Sequence, residues 1–315
     1  PYTTLFRSQK LRAGAQTPRY WPTYETDTTD LGDPNFLADA MAELPHYRKV
    51  TLAFKERIAY QVYQGDVDGA LEDCLVVWQF GRHMQGKGLL NEQLVGIAIE
   101  AVGSQSILPI LQQCEVAAAT LERVQRGITR MIDSHRPVID LDGEEVFWRD
   151  RIQRTFTDDG QGGGHALPKG IPYAAGDWTD NLLGLLVFDY PERREAEAMV
   201  EQYFERMQCR LLLEPYEHRS DRDVGLPLLE AAPNTMISSV EPAHERLGQL
   251  LWRMKTGELA TLTTVTVLRY AADHGTFPET LHQLVQDGYL NEVPDDPFGQ
   301  GPLSYRRTSK GFLLY

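Results

Sequence analysis

Between Tyr47 and Arg154 the apolar residues fall again and again at three- and four-residue spacing, broken only by short turn signals. That succession of amphipathic periods constrains the fold more than any other feature of the chain. In Tyr47–Gln64 the apolar positions are Leu52, Ala53, Ile58, Ala59, Val62 and Tyr63, which predicts a helix. Gly65 can take the left-handed conformation that ends it, and Asp66 can cap its successor. That second helix, Val67–His83, carries Ala70, Leu71, Cys74, Leu75, Val77, Trp78 and Phe80, and the two together predict an αα-hairpin. A third apolar helix is expected over Asn91–Leu111, with Pro109 kinking or restarting it. Val116–Ile132 follows, ended by Pro137, and Asp142 is placed to cap a helix through Arg154. Consecutive helices on short turns imply a solenoid-like or bundle arrangement.

The pattern then breaks. Thr157–Tyr173 is glycine-dense, most of all in Asp158-Asp159-Gly160-Gln161-Gly162-Gly163-Gly164-His165, and is expected to be a flexible loop. Helical signal returns at Asp177–Asp189 and at Pro191–Met207, where Pro191 suits a first turn. After the proline-punctuated stretch Pro215 to Pro233, Ser239 is expected to cap a long helix with Pro242 in its first turn. Leu247, Leu250, Leu251, Met254, Leu262, Val265 and Leu268 line one side of it, and His274-Gly275 closes it. A short helix from Thr276 to Val285 precedes turn chemistry at Val293–Gly299. Two strands, Pro302–Arg306 and Gly311–Tyr315, then flank Thr308-Ser309-Lys310-Gly311, with Gly311 expected at positive φ. The predicted fold class is mainly α: helical hairpins followed by a long helix and a small C-terminal β-hairpin. The organisation expected is a lead-in at 9–34, a helical domain at 35–235 with its flexible loop at 157–173, and a long helix plus small module at 236–315.

Charge narrows the functional classes. The chain has 45 acidic against 31 basic residues, net -14, and no basic stripe beyond the pairs Arg193-Arg194 and Arg306-Arg307. Such a field repels phosphate backbones, so nucleic acid is not an expected partner. Cys74, Cys114 and Cys209 are far apart and odd in number, and no CxxC or Cys/His ligand spacing occurs, which argues against a disulfide framework or a structural zinc. Cys74 and Cys209 read as small buried hydrophobes. No segment reads as a membrane span, the best candidate being the short run Leu182–Phe188, so the chain is expected to be soluble.

The candidate chemistry is sparse. At 160–164 the glycines lack the Lys and Ser/Thr of a phosphate loop, since His165-Ala166 stand there, and the acids beside them lack EF-hand spacing. The histidines, His46, His83, His135, His165, His218, His244, His274 and His282, are single, and His244-Glu245 is not continued to HExxH. Asp295-Asp296 between prolines reads as turn, and Trp78, Phe80 and Trp252 as packing. No catalytic, cofactor-binding or metal residue is therefore assigned, and no cofactor is expected. The alternative is a hydrolase or small-molecule-binding domain whose site assembles from distant residues such as His83, His165 and Asp158.

Resemblance adds context. Gly65-Asp66-x3-Ala70-Leu71 resembles the turn of a tetratricopeptide repeat, without a legible recurrence. The octapeptide Pro1–Ser8 looks like the in-frame translation of a sequencing adapter, so residues 1–8 are read as a scar and the chain as a piece cut at both ends. The string Tyr270-x3-His274-Gly275-Thr276-Phe277-Pro278, then Gly288-Tyr289-Leu290-x2-Val293-Pro294-x-Asp296-Pro297-Phe298-Gly299, then Tyr305 and Phe312-x2-Tyr315, resembles the head of the major type II secretion pseudopilin. The family's N-terminal assembly helix is not matched, and no ligand of its calcium loop is carried over. The helical part, notably Glu72–Ala101, is similar to large uncharacterised planctomycete proteins that begin with a membrane anchor and end in such a tail. Together these imply a non-enzymatic interaction or scaffold protein of the cell envelope, with a protein partner and with membrane contact only through an anchor outside this chain.

Overall fold

The computed structural model describes residues 10, 12–15, 17, 44–85, 88–132, 139–166, 191–216 and 241–315, and is mainly helical with a small C-terminal hairpin. The elements are α1 (Leu44–Tyr63), α2 (Val67–Met84), α3 (Leu90–Gln113), α4 (Ala118–Met131), α5 (Asp142–Thr155), α6 (Arg193–Leu212), α7 (Glu241–His274), α8 (Leu281–Gln286), β1 (Tyr305–Thr308) and β2 (Gly311–Leu314). The expected helix at Asp177–Asp189, the apolar run Leu182–Phe188, Pro137 and the cap Ser239 lie outside the described residues.

The first turn forms as its residues dictate. Gly65 takes φ +77°, its amide donates to Val62 O at 3.0 Å and that of Asp66 to Gln61 O at 2.9 Å, a Schellman closure of α1. Asp66 Oδ1 then accepts from Gly69 N at 3.0 Å and starts α2. The buried face of α1 matches the expected one only in part: Ile58 is buried as expected, with Leu44, Thr51 and Phe54 beside it, whereas Leu52 and Tyr63 are exposed. The mixed spacing allowed two faces, and Phe54 and Ile58 chose the one that meets α2 and α3.

Glycine lets α2 and α3 touch main chain to main chain. A Cβ at Gly81 would stand 2.3 Å from Glu100 N, and one at Gly103 would stand 2.5 Å from Trp78 N. A third, at Gly96, would lie 2.7 Å from Gly81 O. α3 runs on to Gln113 through Pro109, so the proline does not end it. It also corrects the expectation about spans: 24 residues long with a mean hydropathy of 1.7 in its best window, it is long and apolar enough to cross a membrane by length and composition. In the structure it packs against α1, α2 and α7, with Ile97, Ile99, Ile107 and Ile110 buried.

Other local expectations shift by a residue or a face. Leu141 is the cap of α5 and Asp142 its first residue, the amide of Asp142 donating to Asp140 Oδ1 at 2.9 Å. α6 begins at Arg193 with Glu192 as its cap, which leaves Pro191 just outside. Cys209 is exposed, because it lies opposite the face that buries Met207 and Leu211. Leu250 is likewise exposed on α7, while Leu247 and Leu251 are buried.

α7 runs through several cores in turn. Leu247 and Leu251 join a cluster with Trp148, Ile152, Val200 and Phe204; Leu262 and Val265 join Leu71, Trp78, Ile107 and Ile128; Val267 and Tyr270 join Leu281, Leu284 and Leu303. Its buried threonines stay satisfied within the helix, Thr261, Thr263 and Thr266 donating to Gly257 O, Leu259 O and Leu262 O at 2.7–2.8 Å. Gly275 at φ +71° ends it. α8 is shorter than expected and starts at Leu281. β1 and β2 pair antiparallel with Tyr305 opposite Leu314 and Thr308 opposite Gly311. Gly311 sits in the ladder without positive φ, so the turn does not draw on glycine's freedom there.

Candidate functional site

Where α2, α3 and α7 meet, the structure encloses a polar cluster that the sequence does not announce. α2 contributes Trp78 and Arg82, about one turn apart on one stripe, and its C-cap residue Gln85 follows. α3 contributes Glu100 and α7 contributes Glu258, and both are buried, at 0% and 3% exposure. Glu100 accepts hydrogen bonds from Trp78 Nε1, from Arg82 Nε at 3.1 Å and from Gln85 Nε2. Arg82 reaches Glu258 Oε2 with its other arm at 3.4 Å. The remaining oxygen, Glu258 Oε1, is buried with no hydrogen-bond partner.

One guanidinium thus faces two carboxyl groups in a space closed to water. Taking an ion out of water costs several kcal/mol, and a single arginine can offset that for one carboxylate but not fully for two. The outcome is a raised pKa for Glu258. Burial is the main cause, and the neighbouring charge of Glu100 adds to it, while Arg82 pulls the other way. Glu258 therefore keeps its proton well above the ordinary range for a glutamic acid. Its protonated oxygen can donate where a carboxylate could only accept. Paired carboxyl groups with separated proton affinities are the usual equipment of acid–base catalysis. Here neither carboxyl group is exposed to solvent.

A second buried acid sits on α2. Asp73, at 0% exposure, is held by Arg12 from the N-terminal stretch through its Oδ1, and Arg57 Nε of α1 lies 2.8 Å from its Oδ2. That Oδ2 contact is an ion pair without hydrogen-bond alignment.

The residues singled out in the sequence are placed as follows. Asp158 and His165 belong to one loop, closed by Thr157 N to His165 O at 2.9 Å and by an isolated bridge between Phe156 and Ala166. Asp158 pairs with Arg193 at 2.8 Å and accepts from Gly160 N. Asp159 Oδ1 accepts from Gln161 N and Gly163 N at 2.8 Å each, bonds that hold its carboxyl below the usual range. The amides of Gly160 and Gly163 are thus turned onto the loop's own aspartates. His83 is in the last turn of α2, its Nε2 2.7 Å from Gln79 Nε2. Asp296 closes its turn by accepting from Phe298 N at 3.0 Å. Trp78 is fully buried and Trp252 nearly so, with Lys255 Nζ 4.6 Å above the Trp252 ring. Among the described residues, no three His, Cys, Asp or Glu side chains are grouped to hold a metal.

The sequence reading passed over Arg82, Glu100 and Glu258. One signal was available: Glu100 is the lone charge between Leu94 and Ile107, a run otherwise apolar or small apart from Gln105. The outward face of α1 was also missed. Leu52, Tyr60 and Tyr63 are 54%, 63% and 83% exposed and lie within an arc of about 100°, taking about 100° per residue.

Comparison with protein families, with curated proteins and with solved structures finds no match to this chain.

Proposed function

We propose that the chain is a non-enzymatic interaction or scaffold protein of the cell envelope, which docks a protein partner on the outward face of α1. The observation that carries the reading is a contrast in placement. The paired carboxyl groups Glu100 and Glu258 are shut inside the helical core, whereas large apolar side chains are exposed on one helix surface. An exposed row of a leucine and two tyrosines suits docking, because tyrosine supplies broad contact area at little entropic cost. The envelope assignment rests on the pseudopilin-like pattern from Tyr270 to Tyr315 and on the similarity of the helical part to anchored planctomycete proteins.

The test is affinity capture from envelope extracts with the wild-type chain and a Leu52→Glu, Tyr60→Glu, Tyr63→Glu variant. A protein retained by the wild type and lost by the variant, with unchanged far-UV circular dichroism, is the expected result. Equal retention by both, or none by either, would overturn the reading.

A further inference from the structure

We propose that Glu258, Glu100 and Arg82 form a proton-dependent clasp, which seats α7 on the α2–α3 hairpin while Glu258 carries its proton and loosens that seat when the proton is lost. The inference stands on geometry. The cluster brings together the two carboxyl groups of different helices and the single guanidinium that reaches both, at 3.1 Å and 3.4 Å. Both carboxyl groups are closed to solvent, so water cannot dilute a second negative charge.

Among the described residues, nothing else on the neighbouring elements stands in for a second cation. On α7 itself, Lys255 lies a turn before Glu258 and places its ammonium over the Trp252 ring. α4 turns Glu122 and Arg126 toward each other, and Glu122 toward Arg269, about three turns further along α7. α6 meets α7 near Gly248, where Leu211 is the facing side chain, and α8 meets it at Tyr270, through Gln283. Among the described residues, the charged groups that face Glu258 are therefore Arg82 and Glu100.

The sign follows from linkage. A carboxyl group that holds its proton more tightly in the folded state contributes its full stability below the unfolded value, near 4.5 for glutamate. That contribution is lost as pH rises from there through the raised folded value. Across the window the opening of α7 from α2–α3 should become about tenfold more frequent per pH unit. The protein thereby reads the acidity around it through one helix contact, and α7 leads directly into the C-terminal module.

The experiment is hydrogen exchange, read by mass spectrometry on the full chain, at several pH values from 5 to 9 and corrected for intrinsic exchange. Peptides of α7 around Glu258 should lose protection with rising pH in the wild type, and Glu258→Gln, whose amide keeps the carboxyl group's shape without a titrating proton, should flatten the profile. If E258Q does not fold, Glu100→Gln carries the same test, because it leaves one carboxylate for one guanidinium. A wild-type profile as flat as that of the folded variant, or a slope that survives the substitution, would refute the clasp.

Discussion

Substituting Gly103 by alanine tests the contact on which the helical core is built. The added methyl would stand 2.5 Å from Trp78 N and 2.7 Å from Cys74 O, both main-chain atoms of α2. No rotamer change relieves a clash with backbone, so α2 and α3 must move apart and lose packing along their shared length. Overpacking of a filled core costs about 1–3 kcal/mol, and a main-chain obstacle places this case at the upper end. Alanine returns about 1 kcal/mol of helix propensity. The balance is a loss of about 2 kcal/mol, or about 1 M in the urea midpoint for a slope near 2 kcal/mol/M. Two sites calibrate the reasoning. Gly257 on α7 has nothing within 4 Å of its would-be methyl, so Gly257→Ala should stabilise by about 0.5–1 kcal/mol. At Gly127 the obstacle is Leu75 Cδ1 at 2.8 Å, the end of a side chain that can turn away, so G127A should fall between the two. Denaturation followed by far-UV circular dichroism ranks them. A midpoint for G103A at or above the wild type, or a G257A as damaging as G103A, would refute the argument from main-chain contact.

Two further outcomes follow from the buried groups on α2. Asp73→Asn leaves Arg12 and Arg57 without their shared countercharge, and because both are about one-third exposed at 31% the loss should be about 2 kcal/mol and not the larger figure for a wholly buried pair. Arg12→Ala should cost less, since Arg57 remains; equal midpoints for wild type and D73N would count against the pairing. Burial and then the charge of Asp73 push the Cys74 thiol up to about 12. In the folded chain at pH 8 a disulfide reagent should therefore label exposed Cys209 promptly and Cys74 only on unfolding, and prompt labelling of Cys74 would contradict its placement.

What the sequence discloses and what it conceals divide along the range of the interactions. The hairpin turn at Gly65-Asp66, the run of helices and the existence of a terminal β-hairpin follow from neighbours a few residues apart and are readable in the sequence, although the first strand begins at Tyr305 and not at Pro302. The inward face of α1 is not, because Leu52 and Phe54 are equally apolar and only the partner helices decide between them. Cys209 fails for the same reason, being a small residue on the side of α6 opposite the face that Met207 and Leu211 define. The carboxyl pair is concealed more deeply. Glu100 and Glu258 lie far apart in the chain, and nothing local to either indicates that α7 will bring them to one arginine.

α7 has a mechanical consequence. Its 34 residues make a continuous cylinder about 50 Å long at about 1.5 Å per residue. Each third of that length is gripped by a different set of side chains, and the buried threonines bond back into the helix and hold no neighbour in place. A push or twist applied at the C-terminal module therefore has no joint at which to be absorbed. Sliding or turning the helix as one rod would have to break all three sets of contacts together.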